Sequence, residues 1–466
     1  MEDIDVVELM LTARVYNDNE EFDESDLPPR MRKAAWNGDA SIERPLEVDV
    51  DLANRALGDD GDDAWEAIEK LPFTDRESVN GRLKFTVDDI AEDWYLDRAD
   101  AGRVGANPVL AYEYGDEFDV SYEEAAAGNR PKEADAEWVH GLVREVIGDG
   151  EEAEEMLELV DIYAPEEIEQ NLDEIVLTDE QEREVEKVMK AIEHRDYLRE
   201  VGLSEIGKLL FVGPPGTGKT STAKALSGRL ELPFIEVKLS MITSQYLGET
   251  AKNVDQVFEI AKMLSPCILF IDEFDSIAKT RDSDEHAALK RAVNTLLKSI
   301  DEVSLVRDSV LLIGATNHPR LLDYAAWRRF DEIVEFPAPD REMRAEIFRI
   351  ITSDIEVEGF DAEEIADRTE GLTGSDLRLV LREAVLDALT GDRRELSQQD
   401  LLNAVENFEK RKNLKELDMM ERVSPLDGDG REDHDHEHDH DHEHDHSGGG
   451  AVEREIETES EGGDAG

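Results

Sequence analysis

The sequence predicts an α/β protein. A parallel sheet domain is followed by a small helical lid, preceded by a mostly helical acidic region and trailed by a disordered tail. Two observations carry this. Between residues 172 and 339 the short apolar runs "LLFVG", "FIEVKL", "CILFIDEF" and "VLLIGATN" alternate with amphipathic stretches, as strands joined by helical crossovers do. Between 340 and 412 such runs vanish, while "REMRAEIFRII" and "DLRLVLREAVLDAL" keep helical periodicity.

Ahead of the sheet, residues 1–165 are acidic and hold Trp36, Trp65, Trp94 and Trp138. In this region "RLKFTVDDI" suits a strand, and "AEWVHGLVREVI" puts Trp138, Leu142, Val143, Val146 and Ile147 on one helical face. The stretch from Gly148 to Glu174 reads as a charged helix and a linker. From 424 to 466 the chain is low in complexity, and disorder is expected there.

The whole chain has 466 residues and a net charge of −65, with 116 acids against 51 bases. Acids are dense from Glu2 onward, so the charge belongs to the folded body and not to one tail. Such self-repulsion suits a salt-rich cytoplasm, where charges are screened within about 3 Å at 1 M. An acidic surface argues against nucleic acid as the main partner. The single cysteine, Cys267, excludes an intramolecular disulfide. No apolar run approaches the roughly 18 residues of a membrane span. The opening "MEDIDVVELM" lacks the basic start of a secretory signal. A cytoplasmic protein with no membrane partner is expected.

The chemistry begins at "LLFVGPPGTGKT", a strand running into G-x-x-x-x-G-K-T: a P-loop. Its glycines, Gly213, Gly216 and Gly218, let backbone N–H groups turn toward phosphate oxygens. Pro214, Pro215, Thr217 and Ser221 complete the cradle and the start of the next helix, whose N-terminus favours an anion. Lys219 adds a point charge for the β- and γ-phosphates, and Thr220 offers a hydroxyl to Mg²⁺. About fifty residues later "CILFIDEFD" ends a strand in Asp272 and Glu273. Asp272 can reach the Mg²⁺, and Glu273 can polarise a water for attack on the γ-phosphate. A third strand, "VLLIGATN", ends in Asn317, whose neutral amide can hold that water or touch the γ-phosphate. The bland alternative is a turn-forming Asn before Pro319.

These motifs, with the arginine region "LDYAAWRRFDEIVEFPAPD" and the lid segment "GLTGSDLRLVLREA", resemble the AAA+ ATPases, specifically the AAA subgroup of protein-remodelling and unfolding machines. The resemblance covers about 172–412. It implies a P-loop NTPase fold and Mg-dependent ATP hydrolysis. It also implies a ring, usually a hexamer, in which Arg328 and Arg329 reach the γ-phosphate bound by the neighbouring subunit. The alternative is a surface basic pair bound to nearby acids. The adjacent arginines resemble disassembly ATPases such as katanin and spastin more than the double-ring unfoldases. In "SQYLGET" the family places a pore loop, so Tyr246 and Leu247 would grip an extended protein substrate and Gly248 would let the loop bend. Gly374 would let the lid backbone approach the nucleotide. Ser375 stands where many members of the wider superfamily carry an arginine, and Ile175 and Val176 stand where many carry Ile-Gly-Gly beside the adenine.

Seven of the eleven histidines, His434, His436, His438, His440, His442, His444 and His446, alternate with acids in the tail. Imidazole interleaved with carboxylate can take Ni²⁺, Zn²⁺ or Co²⁺ without fixing one geometry. The sequence therefore supports two functions: an ATP-driven protein remodeller, and a metallochaperone that delivers a metal from the tail to a client enzyme.

Overall fold

The computed structural model describes residues 2–36, 40–58, 63–148, 150–203, 206–244, 250–276 and 287–423. Residues 1–409 form one unit. At its centre lies a six-stranded sheet, with strands in chain order β1 (Val160–Tyr163), β2 (Lys208–Val212), β3 (Phe234–Val237), β4 (Cys267–Ile271), β5 (Val310–Thr316) and β6 (Glu332–Glu335). Their spatial order is β1-β3-β4-β5-β2-β6, and every pairing is parallel except β1 with β3.

Alternation along each strand builds two cores. Leu210, Ile235, Leu269 and Leu312 point into one, and Leu209, Phe234, Phe270 and Ile313 into the other. Strands buried on both faces read as continuous apolar runs, which is why β2, β4 and β5 are visible in the sequence. Cys267 opens β4 fully buried; burial pushes its thiol up, and it is an inert core residue.

Two strands depart from the sequence reading. β6 was not foreseen: only Val334 of its four residues is buried. β1 lies where a linker was expected. It follows the helix Glu151–Leu157 and pairs antiparallel with β3, from Val160 opposite Val237 to Tyr163 opposite Phe234. The expected boundary at 165 therefore cuts the sheet's own edge strand from the sheet.

The N-terminal region is mostly helical, as expected, and "RLKF" contributes only the three-residue strand Leu83–Phe85, paired with Thr74–Arg76. The helix Ala136–Ile147 joins two cores: Trp138 and Val139 pack with the N-terminal helices, and Val143 with the sheet. Val146 lies outside the expected stripe, 38% exposed.

Beside this helix stands a fully buried ion pair. Arg32 donates from Nε to Asp135 Oδ2 at 2.9 Å and to the carbonyls of Ser25, Leu27 and Arg130. Burial pushes the Asp135 carboxyl up to about 6 against the pull of Arg32. Next door Lys33 pairs with Glu166, which also accepts from the Ala136 N–H at 2.7 Å, tying the N-terminal helices to the segment after β1. Asp135→Ala would strand the Arg32 charge without water, a loss of about 3–5 kcal/mol. Thermal unfolding should show a clear fall in Tm, partly recovered in Arg32→Met/Asp135→Leu, where neither charge remains.

The lid packs Arg341–Ile351, Ala362–Arg368, Gly374–Thr390 and the start of Gln398–Val423 around Phe348, Ile365, Leu377, Val380 and Leu401. Two short strands, Val357–Glu358 and Leu396–Ser397, pair parallel within it, a detail the helical periodicity hid. Residues 410–466 form a second unit, in which the helical stretch to Val423 is the part described.

Candidate nucleotide site

The C-terminal ends of β4, β5 and β2 lie side by side, so Asp272, Asn317 and the loop after Val212 open onto one edge of the sheet. Ligands of open α/β sheets bind at that edge. The chain leaves β2 through the loop 213–218 and enters the helix Lys219–Leu230.

Gly213 and Gly216 are required by contact. A Cβ on Gly213 would lie 2.0 Å from the Phe336 carbonyl oxygen, and one on Gly216 2.2 Å from Ser375 Oγ. Gly216 also sits at φ +78°, where an L-residue pays roughly 1–2 kcal/mol. Gly216→Ala should push the lid off the loop and raise KM for ATP about tenfold, measured by steady-state ATPase assay.

Lys219 is buried and donates from Nζ to the carbonyls of Gly213 and Pro214 at 2.9 and 2.8 Å. Burial draws its pKa down, with Asp272 opposing. Thr217 Oγ1 donates to the Pro214 carbonyl and braces the loop. Thr220 Oγ1 donates to Asp272 Oδ2 at 2.9 Å. A hydroxyl and a carboxylate side by side next to a phosphate loop are hard oxygen donors of the kind Mg²⁺ takes together with substrate phosphates. The residues present therefore fit the ion.

Glu273 follows at φ +46°, strained for a residue with a side chain. Its N–H donates to Asp272 Oδ1 at 2.8 Å and its carbonyl accepts from the Ser276 N–H at 2.7 Å, and together they hold the kink. The carboxylate is exposed, open to water. Asn317 Oδ1 is buried with no hydrogen-bond partner among the described residues. Such an acceptor is costly unless something donates to it.

The sequence reading missed Asp275 and Thr316. Thr316 Oγ1 donates to the buried Asp275 Oδ1 at 2.7 Å and accepts from the His318 N–H at 3.0 Å. This bond clamps the turn carrying Glu273 to the strand end carrying Asn317. Its signal was the third acid of "DEFD", but the bond joins residues 41 apart, which no local pattern shows.

The two arginines differ. Arg329 donates to the carbonyls of Leu297 and Ala325 and pairs with Asp301 at 3.0 Å. Arg328 is exposed, and of the pair only its guanidinium has no hydrogen-bond or ion-pair partner among the described residues. The adjoining Phe330 packs edge-to-face on Phe274, beside Glu273.

A mainly apolar cavity extends from the loop toward the lid. Ile175 and Val176 line it, together with Ile347 and Ile351. Thr217, Gly218 and Ser221 form its loop side. Gly374 and Ser375 close it, and the Ser375 N–H donates to the Gly216 carbonyl at 3.1 Å. Arg378 also reaches it, a residue the sequence reading passed over.

The loop residues Tyr246, Leu247 and Gly248 and the seven tail histidines from His434 to His446 lie outside the described residues. Among the described residues no cluster of three or more His, Cys, Asp or Glu could hold a metal, and no helix is long and apolar enough to cross a membrane.

Residues 209–338 match the model of the ATPase family associated with various cellular activities (AAA), and residues 359–403 match the AAA+ lid domain. An uncharacterised AAA family ATPase of Sinorhizobium fredii is 37% identical over 245 residues, 52% of this chain and 73% of the relative. A proteasome-activating nucleotidase of Pyrococcus horikoshii is 39% identical over 233 residues, 48% of this chain and 58% of its own. That of Methanocaldococcus jannaschii is 36% identical over 243 residues, 50% and 56% respectively. The chain thus spans little more than half the length of these nucleotidases. With the loop, the two acids and the lid in place, the chain belongs to the AAA family of ATPases and is an ATP hydrolase.

Proposed function

We propose that copies of this chain assemble into a ring, most simply a hexamer, that uses ATP hydrolysis at subunit interfaces to unfold or remodel protein substrates. The observation that carries this is the asymmetry of the arginine pair. In a chain with more than twice as many acids as bases, an exposed Arg328 whose side chain has no partner among the described residues is set to meet an anion elsewhere, while Arg329 holds its loop. Relatives named as proteasome-activating nucleotidases favour unfolding over the disassembly that the adjacent arginines suggest.

In this reading Lys219 and the loop N–H groups hold the β- and γ-phosphates. Thr220 and Asp272 supply oxygen ligands for Mg²⁺, which offsets phosphate charge when bound. Glu273 takes the proton of the attacking water, Asn317 Oδ1 orients that water, and the neighbour's Arg328 balances charge on the transferring group. Tyr246 and Leu247 grip the substrate in the pore.

The test is a trap in the native host. Full-length Glu273→Gln, able to bind ATP without hydrolysing it, is pulled down in molar KCl with and without residues 424–466, and bound proteins are identified by mass spectrometry. Varied proteins retained without the tail support remodelling. One metalloenzyme, lost with the tail, would replace it with metal delivery through His434–His446.

A further inference from the structure

The cavity beside the loop divides the site. Lys219, Thr220, Asp272, Glu273 and Asn317 do not line it, so it lies on the nucleoside side and away from the γ-phosphate. Its walls are mostly apolar, and among the described residues the charged ones that line it are Glu174 and Arg378. They stand on different elements, Glu174 just ahead of Ile175 and Arg378 on the lid helix Gly374–Thr390. Among the described residues neither side chain has a hydrogen-bond or ion-pair partner, and both are exposed.

Helix geometry separates Arg378 from the phosphate loop. The N-terminus of the lid helix touches the phosphate loop, where Ser375 meets Gly216. Arg378 comes three residues later, about 4.5 Å further along the axis. That step leads away from the phosphates and toward the space bounded by Ile175, Val176 and Ile351.

We propose that Arg378, with Glu174 lining the same cavity, is a specificity-determining residue that reads the nucleoside end of ATP and not its γ-phosphate. A nucleoside brings a sugar diol and a polar base edge into a mainly apolar slot. A carboxylate accepts from hydroxyls or an exocyclic amine, and a guanidinium donates to ring nitrogens or sugar oxygens or stacks on the base. An apolar slot alone discriminates weakly, whereas polar groups that must be paired discriminate strongly. Because ADP carries the same nucleoside, these contacts hold substrate and product alike. They set KM and leave the chemical step untouched.

The experiment uses the full-length chain in molar KCl: wild type, Arg378→Ala, Arg378→Lys and Glu174→Gln. Steady-state hydrolysis of ATP, 2′-deoxy-ATP and GTP is measured, with equilibrium binding of ATP and ADP. Arg378→Ala is expected to raise KM for ATP about tenfold, the weight of one hydrogen bond to a charged group, with kcat little changed. ATP and ADP affinities should fall by the same factor, and preference for ATP over GTP should shrink. Arg378→Lys should recover only part, since a point charge cannot replace the planar fork. A Glu174→Gln penalty for ATP that is absent for 2′-deoxy-ATP assigns the sugar to Glu174, and one equal for both assigns the base. Unchanged KM and unchanged nucleotide preference in both Arg378→Ala and Glu174→Gln would overturn the proposal. So would a fall in kcat with ADP affinity intact, which would make Arg378 a γ-phosphate contact. None of these readings depends on protein remodelling.

Discussion

Glu273→Gln is expected to lower kcat for ATP by about 10²–10⁴-fold while ATP binding persists. The replacement is close to isosteric and carries the same backbone preference, so the kink at φ +46° and its bonds to Asp272 and Ser276 survive. What disappears is the exposed carboxylate that can accept a proton from water. The Asp272–Thr220 pair lies on the other side of that peptide and is untouched. Single-turnover hydrolysis with a parallel binding titration separates the two effects. Near-normal turnover would remove Glu273 from the role of base, and lost binding would mean that the turn itself had collapsed.

Arg328→Ala should cost about 10³–10⁵-fold in turnover if its guanidinium serves a neighbour's γ-phosphate. Arg329→Ala should behave differently. It removes two carbonyl contacts and the pair with Asp301, so it should lower thermal stability along with activity. Mixing provides the sharper test. Arg328→Ala subunits keep Glu273, and Glu273→Gln subunits keep Arg328. Each alone is inactive, yet some interfaces of a mixed ring combine an intact Glu273 with an intact Arg328. Activity on mixing shows that the sites are shared between subunits. No recovery, in rings shown to exchange subunits, would place Arg328 in its own chain's chemistry.

Much of this site could be read before the fold was seen, because its parts are local. A P-loop is contiguous, and Asp272, Glu273 and Asn317 each end an apolar run whose two buried faces make it conspicuous. Features that depend on distant residues stayed hidden. Asp275 matters only because Thr316 faces it. Arg328 and Arg329 look equal until the Leu297 carbonyl claims one of them. Arg378 is one more charge on a lid helix until the cavity shows what it lines. The strands β1 and β6 escaped for a related reason: Val160–Tyr163 is short and follows an acid-rich helix, and β6 buries a single side chain.

The antiparallel β1 has a practical consequence for anyone preparing the ATPase without its N-terminal region. A fragment cut at 165 would leave the outer edge of Phe234–Val237 with unpaired N–H and C=O groups in a strand whose residues are largely apolar. Exposed apolar edges recruit other chains, so such a fragment should aggregate through that bare edge, whatever the removed helices do. A cut placed before Glu151 keeps the capping strand and the helix that leads into it, and lets the contribution of the preceding helices be judged on its own.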